Sequence, residues 1–223
     1  MWRLINSGPC DAPFNMALDE AMLECSARYG SQILRFYAWT QPAATFGYFQ
    51  HYAEIERLTP LRPLIRRPTG GGLVPHDADW TYSVAFPAGS EWYSLRAEES
   101  YRRVHEWIQS AFGAMNIETE LAPCCKKTLP GQCFVGHEKS DLLWRGKKIA
   151  GAAQRRSKTG LLIQGSVQPP PLSLRREDWE AAMLKSVSPR VDWAGSPEPS
   201  ELLILARQLA DKKYSRDDHN RKR

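Results

Sequence analysis

The sequence has no apolar run long enough to cross a membrane. Its longest purely aliphatic run is Leu202 to Leu205, whereas a membrane-spanning helix needs roughly 20 apolar residues. The first residues, Met1 to Asn6, lack the basic and then apolar order of a signal peptide. The five cysteines are an odd number without the spacing of a disulfide framework. These absences exclude a membrane-spanning protein and a disulfide-stabilised secreted domain, and they predict a soluble protein of the reducing cytoplasm.

The sequence also lacks the motifs of nucleic-acid-binding proteins. No zinc finger, helix-turn-helix pattern or RNA-binding aromatic motif accompanies the net charge of +5. Much of the positive excess lies between Lys212 and Arg223, and such a run is typical of solvated surface. We therefore expect no nucleic acid partner, although the charge would suit an acidic protein.

The length and composition predict one packed domain. The chain has 223 residues, of which 42% are hydrophobic and eight are tryptophan, so it can bury a substantial core. We find no internal repeat and no low-complexity tract.

Local patterns predict a mixture of helices and short strands. Apolar residues recur at helical spacing from Phe14 to Cys25, with Asp11 available as the N-cap and Gly30 as the stop. A second helix is predicted to start near Ala97. Branched and aromatic residues predict strands over the following segments: 32–39, 44–49, 64–66, 80–86, 141–144, 148–153 and 160–167. A last helix is predicted over 201–214, after a loop rich in proline and serine from Ser186 to Ser200.

Three consecutive glycines beside two arginines form the most informative motif. Gly70, Gly71 and Gly72 follow Arg66-Arg67-Pro68-Thr69, and His76-Asp77 comes soon after. Glycine has no Cβ and tolerates positive φ, so its amide N–H groups can line a concave wall, and arginine offers forked donors to carboxylate or phosphate. A flexible turn is the alternative, but the predicted strands on either side favour a pocket.

A β-hairpin is predicted around Arg145-Gly146-Lys147. Lys148 would begin its second strand, which otherwise consists of Ile, Ala and Gly. A desolvated ammonium there would point at an anionic or carbonyl group, whereas a lysine on a solvent-facing edge is the alternative. The next strand stops at Pro169 to Pro171, and Pro171 is predicted to mark the edge of the sheet.

Cys133 lies in a predicted loop just before this hairpin. Its thiolate would be a good nucleophile toward thioesters, although most cysteines are small buried residues. Cys124, Cys125, Cys133 and His137 also have the side chains of a zinc site, but adjacent cysteines rarely serve one tetrahedral ion. We therefore predict no metal site.

Several motifs, in order along nearly the whole chain, resemble the lipoate and biotin protein ligase superfamily. Within it they are most similar to the cysteine-dependent octanoyl-carrier-protein:protein octanoyltransferases. The motifs are Trp2-Arg3, Ser7-Gly8, Phe14 to Glu20, Arg35-Phe36-Tyr37, Gly47 to Gln50, Arg66 to Gly72, His76-Asp77, Thr81 to Val84, Cys133-Phe134, Gly146 to Gln154, Gly165-Ser166 and Lys213-Tyr214.

The resemblance implies an α+β fold with a mostly antiparallel sheet flanked by helices, like the catalytic core of class II aminoacyl-tRNA synthetases and of biotin and lipoate ligases. Residues 1–223 would form one catalytic domain, with a core over about 1–171 and a helical extension over about 172–223. Cys133 would be the acyl-accepting nucleophile, and Lys148 would hold or polarise the acyl carbonyl. The implied substrate-binding residues are Arg67, Thr69, Gly70, Gly71, Gly72, His76, Gly151, Ala152 and Gly165.

The implied reaction moves an octanoyl or lipoyl group from acyl carrier protein, through a cysteine thioester, to a lysine of a lipoyl domain. Both protein partners would be acidic, and a transferase would need no cofactor. An octanoyl tail has roughly six methylenes to bury at about 0.8 kcal/mol each, so an apolar slot can supply about 5 kcal/mol of binding. Backbone N–H groups near the carbonyl would stabilise the oxyanion.

Two other functions fit the same motifs. An ATP-dependent lipoate ligase would form an acyl-adenylate with ATP and magnesium, and Gly72 matches such ligases equally well. A non-catalytic acyl-binding protein of the same fold is the second alternative. The chain also departs from the family pattern, because Ile163-Gln164 stands where related enzymes commonly have a histidine, and because the segment after Pro169 is short. No ligase-type accessory domain is expected to follow.

Overall fold

The computed structural model describes residues 2–127, 134, 136–187, 193–194 and 199–222. Its strands are β1 (Trp2–Cys10), β2 (Gln32–Trp39), β3 (Ala43–Phe46), β4 (Leu64–Arg66), β5 (Val74–His76), β6 (Trp80–Pro87), β7 (Glu120–Leu121), β8 (Lys126–Lys127), β9 (Gly136–His137), β10 (Leu142–Trp144), β11 (Lys147–Arg156), β12 (Gly160–Val167) and β13 (Trp193–Ala194). Its helices are α1 (Ala12–Tyr29), α2 (Tyr52–Ile55), α3 (Glu91–Ser94), α4 (Ala97–Ala114), α5 (Arg176–Val187), α6 (Pro199–Leu209) and α7 (Asp217–Asn220), and a π-helical turn (Ala210–Tyr214) extends α6.

The main sheet joins eight of the described strands in the order β13-β1-β2-β6-β12-β11-β10-β7. In this sheet β1 pairs in parallel with β2 and β13, whereas the other pairs are antiparallel. A smaller sheet has the order β4-β3-β5, and β8 pairs with β9. This mostly antiparallel sheet with flanking helices confirms the predicted α+β fold.

Helices cover both faces of the main sheet because side chains alternate between the faces along each strand. On one face, Phe36 and Val84 pack in the largest hydrophobic cluster with side chains of α4 and α5, such as Ile108 and Trp179. On the other face, Ile33 and Ala85 pack with α1 and α6. The site described below lies on the α1 face.

The ends of α1 follow from local capping chemistry. The Asp11 carboxylate accepts a hydrogen bond from the Phe14 amide at 2.8 Å, and Gly30 ends the helix in the left-handed conformation with φ of 57°. The predicted helix is therefore confirmed. The predicted helix from Ala97 is confirmed as α4, with Val104, Ile108 and Phe112 buried.

The predicted hairpin is confirmed as β10 and β11. Arg145 and Gly146 both have positive φ, of 49° and 74°, as a two-residue hairpin turn of type I′ requires. The position of the next strand differs from the prediction. Because β12 lies between β6 and β11, the prolines from Pro169 to Pro171 follow a central strand rather than an edge strand.

Described parts of the C-terminal segment (172–222) contact the core, whereas the charge of the run after Lys212 predicts solvated surface. It contributes β13, which pairs with β1, so the predicted helical extension also contains a short strand. Lys213 and the Tyr214 hydroxyl bind the Glu20 carboxylate of α1. His219 and Asn220 accept hydrogen bonds from the buried Arg66. The basic run is therefore not simply solvated surface.

Candidate active site

A cavity that is partly open to solvent lies on the α1 face of the main sheet near the smaller sheet. The predicted site residue Lys148 is among the residues that line it. The described residues that line it are Met16, Tyr37, Thr45, Arg67, Val74, His76, Thr81, Phe134, Lys148, Gly151, Ala152, Ala153, Gln164, Gly165 and Ser166.

Neighbouring side chains on three strands of the main sheet form hydrogen bonds to Asp19 of α1. Arg35, Ser83 and Gln164 are neighbours across β2, β6 and β12 in the strand register. Each of these side chains donates to the Asp19 carboxylate at 2.7 Å, and the Tyr37 hydroxyl donates to it at 3.0 Å. Because the Arg35 and Asp19 side chains are fully buried, this network rigidly joins α1 to three strands.

The next row, two residues along each strand, reaches Lys148. Thr81, Ser166 and Gly151 are neighbours across β6, β12 and β11. A Cβ at Gly151 would lie 2.6 Å from both Cε and Nζ of Lys148, so the glycine leaves the space that the lysine side chain occupies. The sequence predicted Gly151 and Lys148 as site residues, and the structure brings them together.

Asp141 holds the Lys148 ammonium in place. Lys148 Nζ lies 2.7 Å from Asp141 Oδ2, and the two side chains are 6% and 0% exposed. The Glu138 amide donates to the same oxygen at 2.7 Å, and the Tyr101 hydroxyl donates to Asp141 Oδ1. An ammonium has three donors, and this ion pair uses one of them. Lys148 is therefore a nearly buried cation at the cavity wall, not a lysine on a solvent-facing edge.

Two side chains near Asp141, those of Tyr101 and His105, are uncharged. Burial and then the Asp141 charge raise the pKa of Tyr101, which stays a hydrogen-bond donor. Burial lowers the pKa of His105 to about 4, so this neighbour of Tyr101 is neutral at physiological pH. Lys148 is therefore the cation that balances Asp141.

His76 also lines the cavity. His76 Nδ1 lies 2.8 Å from Asp79 Oδ2, and its Nε2 lies 2.9 Å from the Thr45 hydroxyl. The Trp39 ring stacks on the imidazole with a centroid separation of 4.0 Å. The sequence drew attention to His76-Asp77, but Asp77 is exposed and the buried carboxylate partner is Asp79.

The glycine loop is bound by Arg67, a residue of the cavity wall. The Arg67 side chain lines the cavity, whereas Gly70, Gly71 and Gly72 are not among the described lining residues. Arg67 donates to the carbonyls of Gly70 and Gly72, so its forked donors hold the loop. Gly71 packs so closely on Gly47 that a Cβ at Gly47 would lie 1.9 Å from the Gly71 carbonyl oxygen.

The remaining predicted residues lie around Gln164. The buried Thr69 hydroxyl donates to Gln164 Oε1 at 2.8 Å, and Thr69 is not among the described lining residues. Gly165 lines the cavity, and a Cβ there would overlap the Tyr82 ring. Ala152 also lines it, beside Gly165 in the strand register. Gln164, at the position noted as a departure from the family pattern, thus links Thr69 to Asp19.

Much of the polar lining is occupied by internal hydrogen bonds. Thr45 bonds His76, and both Thr81 and Ser166 donate to Asp79. Polar groups that are already paired can border hydrocarbon at less cost than unpaired groups. The cavity therefore combines mostly paired polar groups with the Lys148 ammonium at its wall.

The predicted nucleophile Cys133 lies outside the described residues, so its contacts are not part of this geometry. The zinc alternative includes Cys133 and is likewise untested. Within the described ranges, no group of three or more His, Cys, Asp or Glu side chains is placed to hold a metal ion. No helix among those ranges combines the length and the apolar character that a membrane crossing requires.

Sequence reasoning missed Asp141, Asp79 and Tyr101. Asp141 stands directly before an apolar strand, Leu142 to Trp144, and a carboxylate at the entrance of a hairpin that also carries a lysine was the available signal. Nothing local marks Tyr101 or Asp79 as a partner of the site, because their contacts depend on tertiary packing.

Comparison with known proteins identifies related sequences. A family model described as the lipoyl protein ligase A/B catalytic domain matches residues 11–168. The octanoyltransferase LipM of Anoxybacillus flavithermus is 33% identical over 180 residues, which are 75% of this chain and 65% of that protein. The octanoyltransferase LipM of Bacillus cereus is 34% identical over 179 residues, which are 74% of this chain and 64% of that protein. The chain thus spans just under two thirds of the length of these curated relatives.

Solved structures share the fold over almost the whole chain. A lipoate-protein ligase A bound with ATP has a TM-score of 0.81 at 22% identity, covering 98% of both chains. A T. acidophilum protein solved with bound lipoic acid has a TM-score of 0.81 at 22% identity, covering 99% of this chain and 98% of that chain. At these identities the likeness shows the fold alone.

Proposed function

The chain belongs to the family of lipoyl protein ligase A/B catalytic domains, and on that premise we propose that it is an acyltransferase. The proposed reaction moves an octanoyl or lipoyl group from acyl carrier protein, through a Cys133 thioester, to a lysine of a lipoyl domain. The similarity to octanoyltransferases at 33% identity over 180 residues carries this proposal. Residues 1–223 are proposed to act as one catalytic domain in the cytoplasm.

The geometry supports a catalytic role for Lys148. Its ammonium is nearly buried and fixed by Asp141 at 2.7 Å, on the wall of a cavity that is otherwise suited to an acyl chain. A fixed cation in a partly desolvated site stabilises negative charge on a carbonyl oxygen better than water does. Lys148 is thus proposed to hold the thioester carbonyl and to stabilise its oxyanion when the thiolate or the amine attacks.

The other predicted residues are proposed to bind the acyl group directly or to shape its site. Arg67, His76, Gly151, Ala152 and Gly165 line the cavity. Thr69 and the loop of Gly70, Gly71 and Gly72 support the wall through Gln164 and Arg67. The proposed partners are two acidic proteins, and the chain's net charge of +5 favours their encounter.

A ligase reaction is the second candidate, because the fold is shared with a lipoate-protein ligase bound with ATP. In that reaction ATP and magnesium would activate a free acid as an acyl-adenylate, and Cys133 would have no role. The transferase needs no cofactor. A non-catalytic acyl-binding protein is the remaining alternative.

One pair of assays separates these functions. The protein is mixed with a lipoyl domain and either octanoyl carrier protein without ATP or free lipoate with magnesium and ATP. We expect acyl transfer in the first mixture and an octanoyl thioester on Cys133 by mass spectrometry. Cys133→Ala should abolish both, whereas Cys124→Ala is the matched control because Cys124 is exposed and outside the cavity. ATP-dependent modification that survives Cys133→Ala would instead establish the ligase.

A further inference from the structure

Three buried residues, two of which line the cavity, form a chain of hydrogen bonds that the proposed mechanism does not use. The Thr45 hydroxyl lies 2.9 Å from His76 Nε2, and His76 Nδ1 lies 2.8 Å from Asp79 Oδ2. Thr45, His76 and Asp79 are 2%, 5% and 8% exposed. Thr45 and His76 both line the cavity, so this chain of bonds opens into the space proposed for the acyl group.

The partners at both ends fix where the hydrogens lie. Asp79 Oδ2 accepts from the Thr81 and Ser166 hydroxyls at 3.0 and 2.7 Å, so this carboxylate acts as an acceptor and His76 Nδ1 carries the hydrogen. Arg67 Nη1 lies 3.3 Å from the Thr45 oxygen, and a guanidinium can only donate. The Thr45 hydrogen therefore points to His76 Nε2, which is left as a basic nitrogen.

We infer that Thr45, His76 and Asp79 form a proton relay that accepts the proton which the acceptor lysine must lose before it attacks the acyl group. This inference rests on the proposed function, since a lysine amine is the acceptor there. A lysine is an ammonium at neutral pH and cannot attack a carbonyl until it is deprotonated. Lys148 is already a cation held by Asp141, so it is poorly suited to receive that proton.

The strand register connects the relay to the residues around Lys148. Asp79 binds Ser166 of β12, and Ser166 is the register partner of Gly151 on β11, against which the Lys148 side chain packs. Thr45, His76 and Lys148 all line this cavity, so the relay and the ammonium face the same space.

The proton balance closes without any further reactant. The ammonium gives one proton to the Thr45 oxygen while the Thr45 hydrogen passes to His76 Nε2, and Asp79 stabilises the resulting imidazolium. The free amine then attacks the thioester carbonyl, the N–C bond forms and the C–S bond breaks. The departing thiolate takes the second amine proton and becomes the thiol, and His76 returns its proton to solvent.

The test separates loading of the enzyme from transfer to lysine. Thr45→Val removes the hydroxyl and keeps a branched strand residue, whereas Thr45→Ser keeps the hydroxyl. We expect Thr45→Val to slow transfer from the isolated acyl-enzyme to a lipoyl domain by about 100-fold. Loading from octanoyl carrier protein should slow at least about tenfold less than transfer does. Thr45→Ser should recover most of the transfer rate, and His76→Gln should slow transfer to lysine at least as much as Thr45→Val does.

Hydroxylamine distinguishes proton transfer from a change of cavity shape, because it is uncharged at neutral pH and needs no base before it attacks. The Thr45→Val acyl-enzyme should release its acyl group to hydroxylamine at the wild-type rate. Equal slowing with hydroxylamine and with lysine would mean that Thr45 only shapes the cavity, and unchanged transfer to lysine would also overturn the relay. Absence of any acyl-enzyme in the wild-type protein would instead remove the proposed function, and the relay with it.

Discussion

Two buried carboxylates, Asp19 and Asp141, each pair with a cation but are built for different purposes. Asp19 binds the fully buried Arg35 and also receives donors from β2, β6 and β12. Asp141 binds Lys148, whose side chain borders the cavity and is 6% exposed. The first pair joins structural elements, whereas the second presents a charge to a ligand.

The type of cation explains the difference. The Arg35 guanidinium donates hydrogen bonds to Ser7, Asn15 and Asp19, and its planar fork fixes the angles between these partners. An ammonium is a compact charge on a flexible stem, so Lys148 can bind Asp141 and still turn toward a carbonyl. We therefore expect changes at Asp19 to affect stability and changes at Asp141 to affect catalysis.

The largest effect is expected from Asp19→Ala. Removing one partner of a buried ion pair leaves Arg35 as an uncompensated charge, and this should lower the free energy of unfolding by about 3–5 kcal/mol. Urea denaturation followed by tryptophan fluorescence measures the change. Asp11→Ala, which removes only the N-cap of α1, is the control and should lose about 1 kcal/mol. Equal losses in the two variants would contradict the structural role of Asp19.

Asp141→Asn should have its main effect on acyl transfer. The amide keeps the shape of the carboxylate but cannot balance the Lys148 charge, so the ammonium is expected to lose its position and the transfer rate to fall by about 100-fold. The rate of lipoyl-domain modification measures this. Tyr101→Phe removes a single donor to Asp141 and should cost less. If Asp141→Asn loses as much stability as Asp19→Ala and keeps the wild-type transfer rate, the proposed difference between the two carboxylates is wrong.

Gly151→Ala tests the position of Lys148 without touching either charge. The new Cβ would lie 2.6 Å from Nζ, and because the lysine side chain is flexible, it should move aside at little cost in stability. A displaced ammonium is expected to slow transfer by about tenfold. Gly113→Ala in α4 is the control, since no heavy atom lies within 4 Å of its Cβ position. Wild-type transfer by Gly151→Ala would show that the lysine position is not critical.

The sequence predicted elements whose causes are local. The limits of α1 depend on Asp11 and Gly30, and the hairpin depends on the turn at Arg145-Gly146, so residues close in sequence carry the necessary information. Lys148 was predicted from its place in the hairpin strand and Gly151 from the family resemblance, and both line the cavity.

Features that depend on the register of distant strands could not be predicted. Asp79 meets Ser166 across 87 residues, and Glu20 meets Lys213 across 193 residues, so no local pattern reveals either contact. The place of β12 in the middle of the sheet was missed because the prolines after it are informative about where a strand ends, and not about which strands lie beside it.

The smallest effect is expected at Glu20, a scaffold carboxylate whose cations are partly solvated. Its side chain is 4% exposed, but Lys213 and Arg155 are 25% and 36% exposed, so Glu20→Gln leaves charges that water can reach and should cost about 1 kcal/mol. Burial acts to raise the pKa of Glu20, but Lys213, Tyr214 and Arg155 together bring it below its ordinary 4.5.

A lowered pKa sets the sign of the pH dependence. The contribution of Glu20 is fully present above the pKa of the unfolded chain and is lost as the pH falls through the lower folded-state value. The stability difference between wild type and Glu20→Gln, measured by urea denaturation, should therefore close only below about pH 4. Glu24 is the control of opposite sign, because burial and the Glu20 charge raise its pKa, so Glu24→Gln should slightly increase stability at neutral pH. A difference for Glu20→Gln that is constant down to acidic pH would mean that its ion pairs do not hold the C-terminal segment.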